Sequence, residues 1–179
     1  EEAESLLYKA CEGAGRLDDH NLLSDAARNL ALAARQRDDH ERALKWARRS
    51  VAAAQLSDVT RVRAAAIATL GEVLSDGDDA EAAGNAFSRA AQLWTEANDR
   101  GALVACLQSH AAFLVGVGDT AAADRLLLRV DKLQRVPRKR PTSGGVRVTG
   151  QQAAVDSDNL TSRSGADRPS GPVVSDKAS

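Results

Sequence analysis

The chain has 179 residues with a net charge of −1; it is rich in alanine, with 43% hydrophobic residues but only 3% aromatic ones. That length allows one domain with some excess, and so few rings exclude a core built on large aromatic side chains, leaving stability to many similar small-residue interfaces. No apolar run long enough to cross a membrane as a helix occurs. The near-neutral total demands neither nucleic acid nor a lipid surface as partner.

The total hides an asymmetry. Residues 1–133 hold 16 Lys and Arg against 21 Asp and Glu, whereas 134–179 hold 8 against 4. A mildly acidic body is therefore followed by a mildly basic tail. The two cysteines, Cys11 and Cys106, are too few and too far apart for a disulfide framework. They read as small buried hydrophobes in a reducing compartment, which predicts a cytoplasmic location. The chain opens on Glu1-Glu2 and contains no methionine, which reads as a fragment or a processed form.

Laid against itself at an offset of 40 residues, the chain repeats without gaps from Ala3 to Val130. Residues 1–15 form the second helix of a half unit. Three units follow, at about 18–56, 58–97 and 99–135, each a pair of helical runs. Ala27, Ile67 and Leu107 align, then Ala34, Leu74 and Leu114; Ala47, Phe87 and Leu127 follow, then Ser50, Ala90 and Val130. Acidic turns keep step at Asp38-Asp39, Asp78-Asp79 and Gly118-Asp119. In the second unit, Ser57 or Asp58 is the expected N-cap of a helix reaching about Ser75, Asp76-Gly77-Asp78 is a turn, and a second helix runs from about Asp79 to Ala97. The apolar residues of each run recur at i, i+3, i+4 and i+7, the stripe of an amphipathic helix. The predicted class is all-α.

Gly71 and Gly84 interrupt this pattern, each costing roughly 1 kcal/mol of helix propensity relative to alanine. Ala31, Gly71 and Ala111 occupy one slot of the three units. They are expected where the two helices of a hairpin cross, facing Ala43, Ala83 and Ala123, because a larger side chain there would force the axes apart. Gly84 is expected to ease packing between adjacent units.

The pattern Ile67-x-x-Leu70-Gly71-x-x-Leu74, then Ala83-x-x-x-Phe87-x-x-Ala90, resembles the tetratricopeptide repeat. Ile67 stands where that family carries tryptophan, Leu74 stands for its tyrosine, and Thr95 lies near the place of its missing terminal proline. The period of 40 is similar to the longer-helix branch of bacterial regulatory ATPases, transcription activators and animal scaffold proteins. The resemblance covers about 1–135. It implies a right-handed α-solenoid whose concave face, lined by the first helix of each unit, holds a partner peptide or helix.

On that face the helical wheel places Arg28, Leu32, Arg35 and Gln36 in the first unit. Ala68, Glu72, Ser75 and Asp76 follow in the second, and Gln108, Ala112 and Val115 in the third. The expected occupant is a segment with an acidic side chain or a C-terminal carboxylate near Arg28 and Arg35, since arginine pairs bidentately with carboxylates; a merely solvated face is the competing reading. Asp18-Asp19-His20 and Asp38-Asp39-His40 carry metal-binding residue types, but an aspartate at a helix start is capping chemistry, and no metal or cofactor is expected. His110 falls in a slot held by Leu30 and Leu70 elsewhere and is expected to be a hydrogen-bonded core histidine. Trp46 and Trp94 are expected to pack against the following unit. No nucleophile–base spacing or phosphate loop occurs, so no catalytic residue is assigned.

From Pro137 the helical period ends and Gly, Ser, Pro, Thr and Asp dominate, so 137–179 are expected to be disordered. The basic run 135–147 and the sequon Asn159-Leu160-Thr161 fall at or beyond this boundary. Three functions fit. The first is a non-catalytic protein-interaction module of a larger regulator or scaffold. The second is a sensor domain of a multidomain transcriptional regulator or signalling ATPase. Third comes nucleic-acid binding through 135–147. Oligomeric state is left open.

Overall fold

A computed structural model describes residues 2–135, which are all-helical. Seven helices follow one another: α1 (Glu2–Arg16), α2 (His20–Arg35), α3 (His40–Gln55), α4 (Thr60–Ser75), α5 (Ala80–Glu96), α6 (Arg100–Gly116) and α7 (Thr120–Arg135). The disorder expected for 137–179, most of the basic run and the sequon lie outside the described residues. No described helix is long and apolar enough to cross a membrane.

The turns reveal a repeat finer than the 40-residue one. Asp18, Asp38 and Asn98 adopt left-handed backbone with φ of 53–57°, and Gly118 does so at 88°. These are among the residue types that tolerate this conformation at a helix end. The next residue is then an aspartate that caps the following helix. Asp19, Asp39, Asp79, Asp99 and Asp119 each accept the backbone N–H three residues on, at 2.9–3.1 Å. One helix plus one turn thus takes 20 residues, and Asx capping sets where each helix starts. The α3–α4 turn departs from the rule. Val59, and neither Ser57 nor Asp58, is the N-cap of α4, and it offers no side-chain bond. Ser57 instead accepts the Val59 N–H at 3.0 Å and bonds Asn21 on α2, so its hydroxyl ties the turn to an earlier helix.

Each helix packs on the next in the chain, and α4 also packs on α2 and on α6. The even-numbered helices therefore share a layer of close backbone approach, whereas α1 and α3 meet through longer side chains such as Tyr8 and Trp46. Core positions are small, as composition requires: Ala27, Ala31, Ala43, Ala47, Ala64, Ala66, Ala83 and Ala90 are fully buried. Ala111 and Ala123 are likewise buried. The slot of Ala47 and Phe87 does not keep its burial throughout, for Leu127 is 45% exposed. A buried exchange of hydroxyl bonds between Ser24 and Ser50 joins α2 to α3, each side chain donating to the other's carbonyl at 2.9–3.1 Å. With both hydroxyls paired, the α2–α3 contact buries Ser24 and Ser50 without leaving a polar atom unsatisfied.

Gly71 sits at the crossing of α4 and α5, and the atoms nearest to it across the crossing belong to Phe87. A Cβ added to Gly71 would stand 3.1–3.3 Å from three atoms of the Phe87 ring. A methyl at Gly71 would crowd the large Phe87 ring, whereas in the other units the glycine slot holds Ala31 and Ala111 and the slot of Phe87 holds Ala47 and Leu127. Gly84 differs: a Cβ there would reach only Phe113, at 4.0 Å, an ordinary contact. Its expected role in easing packing is not required by space. We predict that Gly71→Val costs about 1–3 kcal/mol by overpacking, whereas Gly84→Ala stabilises by about 0.5–1 kcal/mol through helix propensity. Urea melts of the two variants check both signs.

Candidate functional site

The first helices carry their non-packing residues towards two neighbouring clefts. One, of about 490 Å³, lies between the C-terminal ends of α2 and α4 and is lined by Leu32, Arg35, Gln36 and Asp76, with Asp38 and His40 from the α2–α3 connection. The other, also about 490 Å³, lies between α4 and α6. Arg35, Glu72 and Ser75 form one wall, and Ser109, Ala112 and Phe113 the other. Phe87, Gly116 and Val117 complete it. Leu32, Arg35, Gln36, Glu72, Ser75, Asp76 and Ala112 are thus brought together as the helical wheel predicts. Arg28, Gln108 and Val115 line neither cleft. Ala68 does not either; it packs into the apolar cluster around Phe87 and Leu107.

Arg35 lines both clefts and divides them. Its Nε and Nη2 donate to the two oxygens of Asp76, at 2.5 and 3.0 Å, and its Nη1 reaches Glu72 at 3.3 Å. Asp76 is the C-cap residue of α4, so this fork ties the ends of two helices forty residues apart. The expectation that Arg35 awaits a partner's carboxylate is therefore corrected: the bidentate partner is already supplied by the chain itself. Arg28 also faces acid, its Nε lying 3.6 Å from Asp25. Burial pushes the Glu72 carboxyl above its ordinary range, against the lowering effect of Arg35. Desolvation wins there because Arg35 is shared with Asp76.

Phe113 was not among the expected groove residues. It stacks in a ladder with His110 and Phe87, at centroid separations of 6.3 Å (His110–Phe113) and 5.2 Å (Phe87–His110). Its slot holds Ala33 and the fully buried Val73 in the earlier units, so the repeat alignment marks it as packing, and only its size brings it to the cleft. His110 is buried, and ring stacking takes the place of the expected core hydrogen bond. Cys106, beside it on α6, points its thiol at the Phe87 carbonyl at 3.7 Å, and burial raises that thiol to about 11, so it is an inert packing group. Cys11 is also buried and free.

The two Asp-Asp-His motifs resolve into caps. Asp19 and Asp39 accept from Leu22 and Arg42, and no group of three metal-ligating side chains comes together among the described residues. Trp46 does not pack towards the following unit. It meets Tyr8 of α1 edge-on at 5.3 Å, with Arg49 over its face at 5.1 Å. Trp94 does pack forward, against the cluster containing Leu103, Cys106 and Leu107 of α6.

No family model matches the chain, and no curated protein matches it. Among solved structures it is similar to the crystal structure of BtubC (BKLC) from P. vanneervenii, with a TM-score of 0.63 at 16% identity. The superposition covers 88% of this chain and 63% of that one, so this chain spans less than two thirds of BtubC. At that identity the likeness speaks for the fold alone.

Burial holds the His110 imidazole below its ordinary value. The folded state therefore favours the neutral ring, and its contribution is present at neutral pH and lost as pH falls through the unfolded-state value of about 6.5. His110→Leu, the residue of the equivalent slots, should flatten the drop in urea-melt stability between pH 7.5 and 5.5. An unchanged slope would mean that the ring is already solvated.

Proposed function

We propose that this chain is a non-catalytic protein-interaction module, a right-handed solenoid of tetratricopeptide-like hairpins that receives an extended segment of a partner protein on the face of α2, α4 and α6. The observation that carries this reading is the pair of adjoining clefts on that face. Their walls come from three successive first helices, and they join polar side chains to an apolar floor, the mixture that peptide sites use for orientation and burial. The layering of α2, α4 and α6, with each helix packed on the next in the chain, supports a stack that grows by addition of hairpins. Fold likeness to BtubC supports the helical architecture and carries no partner across. Small aligned residues at the crossings support the tetratricopeptide resemblance, because that family uses the same slots for close approach.

A photo-crosslinking amino acid placed at Ala112, in the second cleft, and separately at Arg89, on the outer side of α5, tests which face is used. Both positions are exposed or lie beside exposed neighbours, so neither substitution needs a core change. Expected is a discrete adduct in cells from position 112, competed by excess untagged protein, and none from position 89. Adducts from 89 alone would move the interaction to the outer helices.

A further inference from the structure

We infer that the segment received by the α2–α4–α6 face carries a lysine or arginine side chain about three residues from an aromatic or large aliphatic one, the cation entering the Asp38–Asp76 cleft and the apolar side chain the Phe113 cleft. The inference rests on the groove reading above and supplies the chemistry of its occupant.

Charge sets the first half. On this face Arg35 is met by Asp76 and Glu72, and Arg28, outside the cleft, by Asp25. Asp38, held in left-handed backbone at the lip of a cleft that Arg35 and His40 also line, forms no ion pair among the described residues. A carboxylate ligand would have to displace Asp76 from the Arg35 fork and then sit near Asp38, paying repulsion at both steps. An incoming ammonium or guanidinium meets Asp38 directly and shares the remaining lone pairs of Asp76, which accepts from Arg35 on both oxygens but is not saturated. The structure thus reverses the charge of partner that the arginines alone would call for.

Shape sets the second half. The second cleft offers Ala112, Phe113 and Gly116 from α6 and its C-cap Val117, together with Phe87. Val117 is 52% exposed, and Ser75 and Ser109 stand at the rim. An aromatic or aliphatic side chain entering there covers apolar surface that no described residue covers. Spacing follows from the helices. The clefts lie on either side of α4, so their centres are about one interhelical distance apart, roughly 8–10 Å. An extended chain covers about 3.3 Å per residue, which places the two anchors about three positions apart.

The test uses the purified chain and an array of nonapeptides, acetylated and amidated, each spot fixing one residue at one position in an otherwise degenerate sequence. Expected is selection of Lys or Arg over Glu by about tenfold at one position, the scale of one favourable contact against one repulsive one, with Phe, Trp or Leu selected about three positions away. Asp38→Asn should remove the selection for a cation and keep the apolar one. Ala112→Arg, which fills the second cleft from an exposed position, should remove both with an unchanged thermal melt. Selection of Asp or Glu, or of a free C-terminus in a parallel array, lost in Ala112→Arg, would leave the groove standing and overturn the inference. Absence of selection, or selection indifferent to Ala112→Arg, would overturn the groove itself.

Discussion

The close approach of α4 to α5 at Gly71 governs much of what this molecule presents. With the Phe87 ring 3.1–3.3 Å from where a Cβ would be, the two helices meet as tightly as backbone and ring allow. Phe87 is the largest fully buried side chain. Its ring also touches the crossing, the His110–Phe113 ladder and the second cleft. In an interior rich in alanine, one phenylalanine set against one glycine supplies much of the local volume at the α4–α5 crossing. The same ring also lines the cleft between α4 and α6.

Ionic ties then set how hairpins sit on one another. Arg35 joins α2 to α4 through Asp76 and Glu72; Arg61 of α4 reaches Asp99, the N-cap of α6, at 3.5 Å. Such pairs, partly exposed to solvent, contribute on the order of 1 kcal/mol or less each. Their weight lies in position: they hold the ends of first helices in register, and the ends are where the clefts open. The cost is that the arginine most suited to a carboxylate ligand is consumed by the fold, which leaves acid at the mouth.

Much of the helical plan was legible in the sequence, because it is written in local chemistry. Apolar spacing located seven helices, and aspartates before each apolar run located most of their starts. Ser57-Asp58 failed as a cap since the Ser57 hydroxyl is drawn to Asn21, thirty-six positions away, a partner that no local pattern contains. Seven of the groove residues came together because helical phase fixes which side chains share a face. Phe113 was missed for a reason in the same logic: its slot is a packing slot, and volume, not phase, carries it into the cleft. Arg35 was placed correctly and its partner wrongly, because pairing depends on which carboxylates of the next unit reach it. Trp46 turned backwards to Tyr8 for a similar reason, a ring finding a ring across a unit boundary.

The Gly71–Phe87 contact is tested most directly by a double-mutant cycle in urea, combining Gly71→Ala with Phe87→Leu. If the ring and the missing methyl are complementary, the smaller ring-free side chain relieves the added Cβ. The double variant should then be more stable than the sum of the singles by about 1 kcal/mol. Additivity within about 0.3–0.5 kcal/mol would show the two positions to be independent, and the crossing would have to be explained by other residues.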